Sequence, residues 1–151
     1  PMGRLIQFQN VFEKELDKFK DTYLEYRNGK TTVEAVADEY ERFCAAVEYF
    51  DNILEENSED DKHEIPGLAD EDVFTKCVTV DVDETDISKY YESLEYIFRC
   101  FECLARYARK IIDKNDKTLM SVLSFELGLH NVYTNGLIEF FREQNKNASD
   151  I

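Results

Sequence analysis

The most informative pattern in this chain is a segment from Leu94 to Ala108 that is apolar apart from one narrow polar stripe. Its polar positions are spaced four, three and four residues apart: Glu95, Arg99, Glu102 and Arg106. On a helix this stripe covers roughly 60° of the circumference, whereas the apolar residues sweep roughly 220°. An outer helix of a bundle buries an arc nearer to 100°. We therefore expect this helix either to be central in its own fold or to contact a second chain.

Two helices are predicted in the first third of the chain. Hydrophobic residues recur every three or four positions over residues 4–27, and Asn28-Gly29 provides a stop signal. A second periodic segment covers residues 32–56. Thr31 and Glu34 have the spacing of a capping box at its start, and Thr32 is an alternative cap.

Two further long helices are predicted over residues 86–113 and 116–144. Gly128 and Asn135-Gly136 weaken the last of these, which is therefore either one kinked helix or two. The acidic connection 57–85 is irregular, with room for a short helix near Val73, and the tail 145–151 is expected to fray. The predicted fold is all-α: one domain over residues 1–151, an antiparallel four-helix bundle, possibly with five helices.

The flank of the third long helix is the predicted partner-binding surface. Its apolar members are two tyrosines and the cysteines of a CxxC pair, and two arginines of the polar stripe lie beside them: Tyr96, Cys100, Cys103, Tyr107, Arg99 and Arg106. Tyrosine is favoured at binding hot spots because it combines a large contact area with a polar tip. The alternative is that the long connection covers this flank within one molecule.

Charge is concentrated in one part of the chain. The formal net charge is −15, and residues 53–92 hold 14 acidic and three basic residues. This pattern indicates either a solvated, self-repelling connection or a docking strip for a basic partner. The cations late in the third long helix complement its dipole, and Arg99 and Arg106 each follow a glutamate by four residues. The other interpretations of those cations are an acidic partner, or the chain's own acidic strip Glu55–Glu84 folded back over them.

Motifs of catalysis and of cofactor or metal binding are weak in this sequence. The Cys100–Cys103 pair has no second close pair to complete a zinc site, and its mid-helix position does not suit redox chemistry. A stretch that begins at Asp81 only faintly resembles a calcium loop, since its sixth position is Asp86 rather than glycine. His130 follows Glu126 by four residues, which predicts a surface or boundary contact. We expect no cofactor and no metal.

Other partner classes are disfavoured as well. No apolar run approaches the ~20 residues of a membrane span, and no signal peptide is evident, so the four cysteines are expected to be reduced in an intracellular protein, cytoplasmic or nuclear. Direct nucleic-acid binding is disfavoured because aromatic residues and exposed cations are not interleaved.

The sequence favours a non-enzymatic interaction module, an adaptor or regulatory subunit. It would bind a partner helix or peptide, or a second copy of itself, through the apolar flank. The alternative is an acidic inhibitor or decoy that acts on a basic, often nucleic-acid-binding, surface. A helical enzyme or metal protein is a third hypothesis, which metal analysis would test.

Overall fold

The computed structural model describes residues 2–59 and 87–149, and it contains four α-helices in that part of the chain. They are α1 (Met2–Arg27), α2 (Val33–Asn57), α3 (Ile87–Asp113) and α4 (Lys117–Ser149). The predicted all-α four-helix bundle is confirmed. The possible short helix near Val73, and residues 60–85 of the acidic connection, lie outside the described residues.

Each helix packs against two neighbours and has no close contact with the helix diagonally opposite, among the residues described. α1 and α4 each contact α2 and α3. Gln9 and Tyr23 of α1 bond Ala105 and Glu95 of α3, so α1 and α3 are antiparallel. The diagonal helices α2 and α3 are consequently parallel, and α2 ends and α3 begins at opposite ends of the bundle. α3 thus occupies a corner of the bundle and not its centre.

Both tight turns follow from residues that tolerate a left-handed backbone. Gly29 has a φ of 74°, and the amide of Lys30 donates to the Glu25 carbonyl, which closes the end of α1. Asn115 has a φ of 51° at the end of α3. Directly after it, the Asp116 carboxylate accepts from the Leu119 amide and caps α4.

The N-cap of α2 is Thr32, the alternative to the capping box of Thr31 and Glu34 that the sequence also allowed. The side chain of Thr32 accepts a hydrogen bond from the Ala35 amide, so Thr32 is the N-cap and Thr31 is not.

α4 differs from its prediction at two points. It is one helix through Gly128 and Gly136, because a mid-helix glycine costs only about 1 kcal/mol against the packing of the surrounding residues. It also continues to Ser149, beyond its predicted end at residue 144, whereas the predicted fraying of the tail stays a prediction. Arg142 lies 3.2 Å from Glu41 of α2 and 3.8 Å from Glu34, and no breaker follows Gly136.

The core is built from aromatic rings that contact one another in tilted and edge-to-face arrangements, which accounts for the many phenylalanines. Phe12 lies against Phe43 and Phe101, with ring centroids 5.7 Å and 6.2 Å away. Phe43 and Phe101 meet edge to face at 4.9 Å, in the middle of the bundle. All three side chains have no exposed surface.

Candidate functional site

The predicted binding residues of α3 divide between the core and the surface. Tyr96, Cys103 and Tyr107 are partly buried and pack against the edge of the core. Cys100 is fully buried and takes part in a disulfide bond, so it lies behind this surface and is not reduced as the sequence suggested. Cys103 is a free thiol. The accessible part of the predicted surface is therefore formed by the two tyrosines, Cys103 and the neighbouring arginines.

Cations lie directly over the aromatic rings of this surface. The Arg99 guanidinium carbon is 4.9 Å from the centroid of the Tyr96 ring, within cation–π range. The Lys110 amine lies 5.8 Å from the Tyr107 ring centroid. Arg106 Nη2 donates to Cys103 Sγ at 2.9 Å. The surface is thus both aromatic and positively charged.

The glutamates that we expected to neutralise these arginines bond to α1 instead. Glu95 accepts from Arg27 at 3.1 Å and from the Tyr23 hydroxyl at 2.6 Å. Glu102 pairs with Lys20 at 2.8 Å. In the described part of the chain, neither Arg99 nor Arg106 lies within ion-pair distance of a carboxylate.

Residues of α4 extend this surface, and the sequence reading missed them. Leu119, Tyr133 and Phe140 are partly buried at the core edge; together with Glu126 they recur every seven residues along α4. Tyr90 of α3 stacks on Phe140 with ring centroids 3.5 Å apart. Their heptad spacing was the available signal. We call the surface formed by Tyr96, Cys103, Tyr107, Leu119, Tyr133 and Phe140, with Arg99 and Arg106, the α3–α4 flank.

Polar contacts on the other side of α3 fix it against α1. Tyr26 and Tyr91 share a hydrogen bond of 2.9 Å, and the Arg27 guanidinium carbon lies 4.0 Å from the Tyr91 ring centroid. Burial, followed by the bond to Tyr91, raises the pKa of Tyr26 to about 12. Arg109 binds both carboxylate oxygens of Glu13, and these bonds lower the pKa of Glu13 below its usual range. These contacts hold the α3–α4 flank on the opposite face.

A second concave surface lies between α2 and α4, and nothing in the sequence reading pointed to it. We call it the α2–α4 groove. It has a volume of about 760 Å³ and is lined by two acidic residues of α2, by the serine that follows α2, and by small and apolar residues of α4: Asp51, Glu55, Ser58, Ser121, Ser124, Phe125, Gly128, Leu129 and Val132. Phe125 and Val132 are 59% and 73% exposed, which is unusual for side chains of this size.

The electrostatics of the α2–α4 groove are acidic. The Ser124 hydroxyl donates to Asp51 and lies 3.3 Å from a Glu55 oxygen. Burial raises the pKa of Asp51 above its usual range, the Ser124 bond opposes this, and the charges of Glu55 and Glu48 add to it. A Cβ atom on Gly128 would lie 4.0 Å from Asp51 Oδ2. That is an ordinary van der Waals distance, so the space beside this carboxylate would also accept a methyl group.

The Glu126–His130 pair is more buried than a surface contact. His130 has no exposed surface, and its Nδ1 lies 2.7 Å from the Glu126 carbonyl oxygen and 3.6 Å from a carboxylate oxygen of the same residue. Burial raises the pKa of Glu126. The ring of His130 meets Phe101 edge to face at 6.1 Å, so the histidine forms part of the core between α3 and α4.

Residues 2–59 and 87–149 contain neither a group of metal-ligand side chains nor a candidate membrane span. No three histidine, cysteine, aspartate or glutamate side chains there are grouped to hold a metal ion. None of the described helices has an apolar segment long enough to cross a membrane. Comparison with protein-family models, curated proteins and solved structures yields no match to this chain.

Proposed function

We propose that this protein is a non-enzymatic interaction module that binds another protein through the α3–α4 flank. The observation that supports the proposal is that Arg99 and Arg106 are exposed and lie outside ion-pair distance of any described carboxylate. Their expected partners Glu95 and Glu102 bond to α1, and the two arginines remain on the outer face beside partly buried aromatic residues. Aromatic residues and arginine are enriched at protein interfaces and among their hot spots.

The partner chemistry follows from this surface. Tyrosine rings and leucine offer apolar contact, whereas the two guanidinium groups favour carboxylates. A partner helix or extended peptide with acidic residues beside its apolar side chains fits both features. Corner packing of α3 supports the same interpretation, because α1 and α4 leave one side of its broad apolar arc only partly buried.

Affinity capture from the source cell with surface variants tests the proposal. Arg99→Glu and Arg106→Glu reverse the charge at exposed positions, and Tyr96→Asp and Tyr107→Asp place a charge on the aromatic part. The matched control is Leu24→Asp, which changes a 45%-exposed leucine on α1. We expect at least one captured protein to be lost with the flank variants and kept with the control, while circular dichroism shows unchanged folding. Capture of the same proteins by every folded variant would contradict the proposal.

A second candidate function is an acidic inhibitor that covers a basic surface of its target. The net charge of −15 and its concentration in residues 53–92 favour it. Affinity would then fall steeply with salt and depend on the carboxylates between Glu55 and Glu84. Neutralising Glu59, Asp60 and Asp61 without loss of binding would remove this candidate.

A further inference from the structure

The α2–α4 groove has a wall of carboxylates and a wall of exposed apolar side chains. Asp51 and Glu55 form the first wall on α2, and Phe125 and Val132 form the second on α4. Its floor is formed by residues with small side chains, which recur every three or four positions along α4: Ser121, Ser124 and Gly128. A groove of about 760 Å³ lies within the size range of clefts that accept a few side chains of a ligand.

The charge of the groove is not neutralised from within its described lining. None of the described lining residues is basic, and Lys117, which lies 3.9 Å from Glu59 next to Ser58, is not part of the lining. The Ser124 hydroxyl supplies a hydrogen bond to Asp51 but no positive charge. Burying these carboxylates under an apolar ligand would therefore be unfavourable, whereas a ligand with its own cations would pair with them.

We propose that the α2–α4 groove is the docking site of a basic amphipathic segment of a partner protein. Lysine or arginine side chains of that segment pair with Asp51 and Glu55. Its aliphatic side chains cover Val132 and Phe125, and the serine and glycine floor allows close approach of its backbone.

Charge complementarity distinguishes this occupant from others. A second copy of the chain would bring a net charge of −15 to an acidic surface, which opposes association. The chain's own residues 60–86 include ten acidic and two basic residues, the wrong sign for these carboxylates. The inference goes beyond the proposed function, because the α2–α4 groove and the α3–α4 flank use different sides of α4.

A designed peptide provides a defined probe. A fluorescein-labelled amphipathic helix of leucine and lysine, about 18 residues or five turns long, is titrated with the full-length protein and followed by fluorescence anisotropy. A leucine–glutamate helix of the same pattern serves as the peptide control. We expect saturable binding of the first peptide and none of the second, and amide shifts confined mainly to residues 51–58 and 121–132 in NMR spectra.

Paired variants separate the groove from general attraction to an acidic protein. Val132→Lys and Leu24→Lys add the same charge at exposed positions, but only the first lies in the groove. Glu55→Gln and Glu25→Gln form a second pair. We expect a loss of about tenfold for Val132→Lys and about fivefold for Glu55→Gln, as for central interface contacts, with less than twofold for each control.

Three results would overturn the proposal. Equal losses for groove and control variants would mean non-specific charge attraction. Absence of saturable binding by the wild type would remove the site. Sedimentation that detects a wild-type dimer, dissolved by Val132→Lys, would assign the groove to a second copy. Because none of these variants alters the α3–α4 flank, the proposed function is unaffected by each outcome.

Discussion

The Tyr40 hydroxyl of α2 lies 3.0 Å from the carbonyl oxygen and 2.9 Å from the side-chain oxygen of Asn131 on α4. Tyr40 is 3% exposed and Asn131 is 9% exposed, and burial raises the pKa of Tyr40 above its ordinary range. The Asn131 amide in turn donates to Cys44 Sγ at 3.2 Å. This buried network fixes α2 against α4 directly beside the α2–α4 groove.

Removing the Tyr40 hydroxyl is expected to destabilise the bundle. Tyr40→Phe leaves buried acceptors of Asn131 without their donor, which typically costs about 1 to 2 kcal/mol. Urea unfolding followed by circular dichroism measures this loss. The matched change Tyr49→Phe, at a ring that is 62% exposed, should alter the free energy of unfolding by less than about 0.5 kcal/mol. Equal effects of the two variants would contradict the assigned hydrogen bonds.

The start of α2 provides a test between two adjacent threonines. Because the Thr32 side chain accepts from the Ala35 amide, Thr32→Ala should lower the free energy of unfolding by about 1 kcal/mol. Thr31→Ala should change it by clearly less. Thermal or urea unfolding of both variants measures the difference. A larger loss for Thr31→Ala would restore the capping box that the sequence favoured.

The stability of the protein should depend on pH through Asp51. Its pKa in the folded state is raised by burial and by neighbouring carboxylates, so the folded state holds this proton more tightly than the unfolded state. Asp51 therefore contributes an unfavourable term at neutral pH that disappears as the pH falls through the raised pKa. We expect Asp51→Asn to be more stable than wild type at pH 7, with an advantage that shrinks on acidification.

Urea unfolding of both proteins between about pH 7 and pH 4 checks this sign, since unperturbed aspartate titrates near pH 4. The asparagine retains an oxygen that accepts from Ser124, so the variant mainly removes charge. Asp21→Asn, at an exposed position of α1, is the control. An advantage of Asp51→Asn that grows on acidification would contradict the raised pKa.

The aromatic centre should dominate the stability of the fold. Phe43 contacts Phe12, Phe19 and Phe101 and has no exposed surface. Phe43→Ala is expected to cost about 3 to 5 kcal/mol, the usual range for a buried phenylalanine. Val132→Ala, at a side chain that is 73% exposed, should cost less than about 1 kcal/mol. Denaturant unfolding ranks the two, and similar losses would contradict the described core.

Helix positions were predictable from the sequence because the hydrophobic periodicity is strong and breakers are few. All four helices lie within a few residues of their predicted bounds, apart from the end of α4. Near that end, Arg142 forms ion pairs with Glu34 and Glu41 of α2, which no local pattern reveals. Which helices become neighbours also depends on contacts between distant parts of the sequence, such as the hydrogen bond from Gln9 of α1 to Ala105 of α3.

The candidate site was less predictable than the fold. A helical wheel placed Tyr96, Cys100, Cys103 and Tyr107 on one side of α3, but burial separates Cys100 from the others. The wheel also paired Arg99 with Glu95, whereas the hydrogen bonds to Arg27 and Tyr23 of α1 draw that carboxylate away. The α2–α4 groove arises only when small residues of one helix face acids of another, and single-helix patterns do not show that.

Site-specific photo-crosslinking is the most direct measurement of the central claim that the α3–α4 flank binds a partner. A photoreactive phenylalanine analogue is placed at position 96 or 107, and at the exposed position 25 of α1, outside the α3–α4 flank, as a control. Irradiation in the source cell should yield one protein adduct shared by the two flank positions and absent from position 25. The same adducts at all three positions, or none at positions 96 and 107, would contradict the claim.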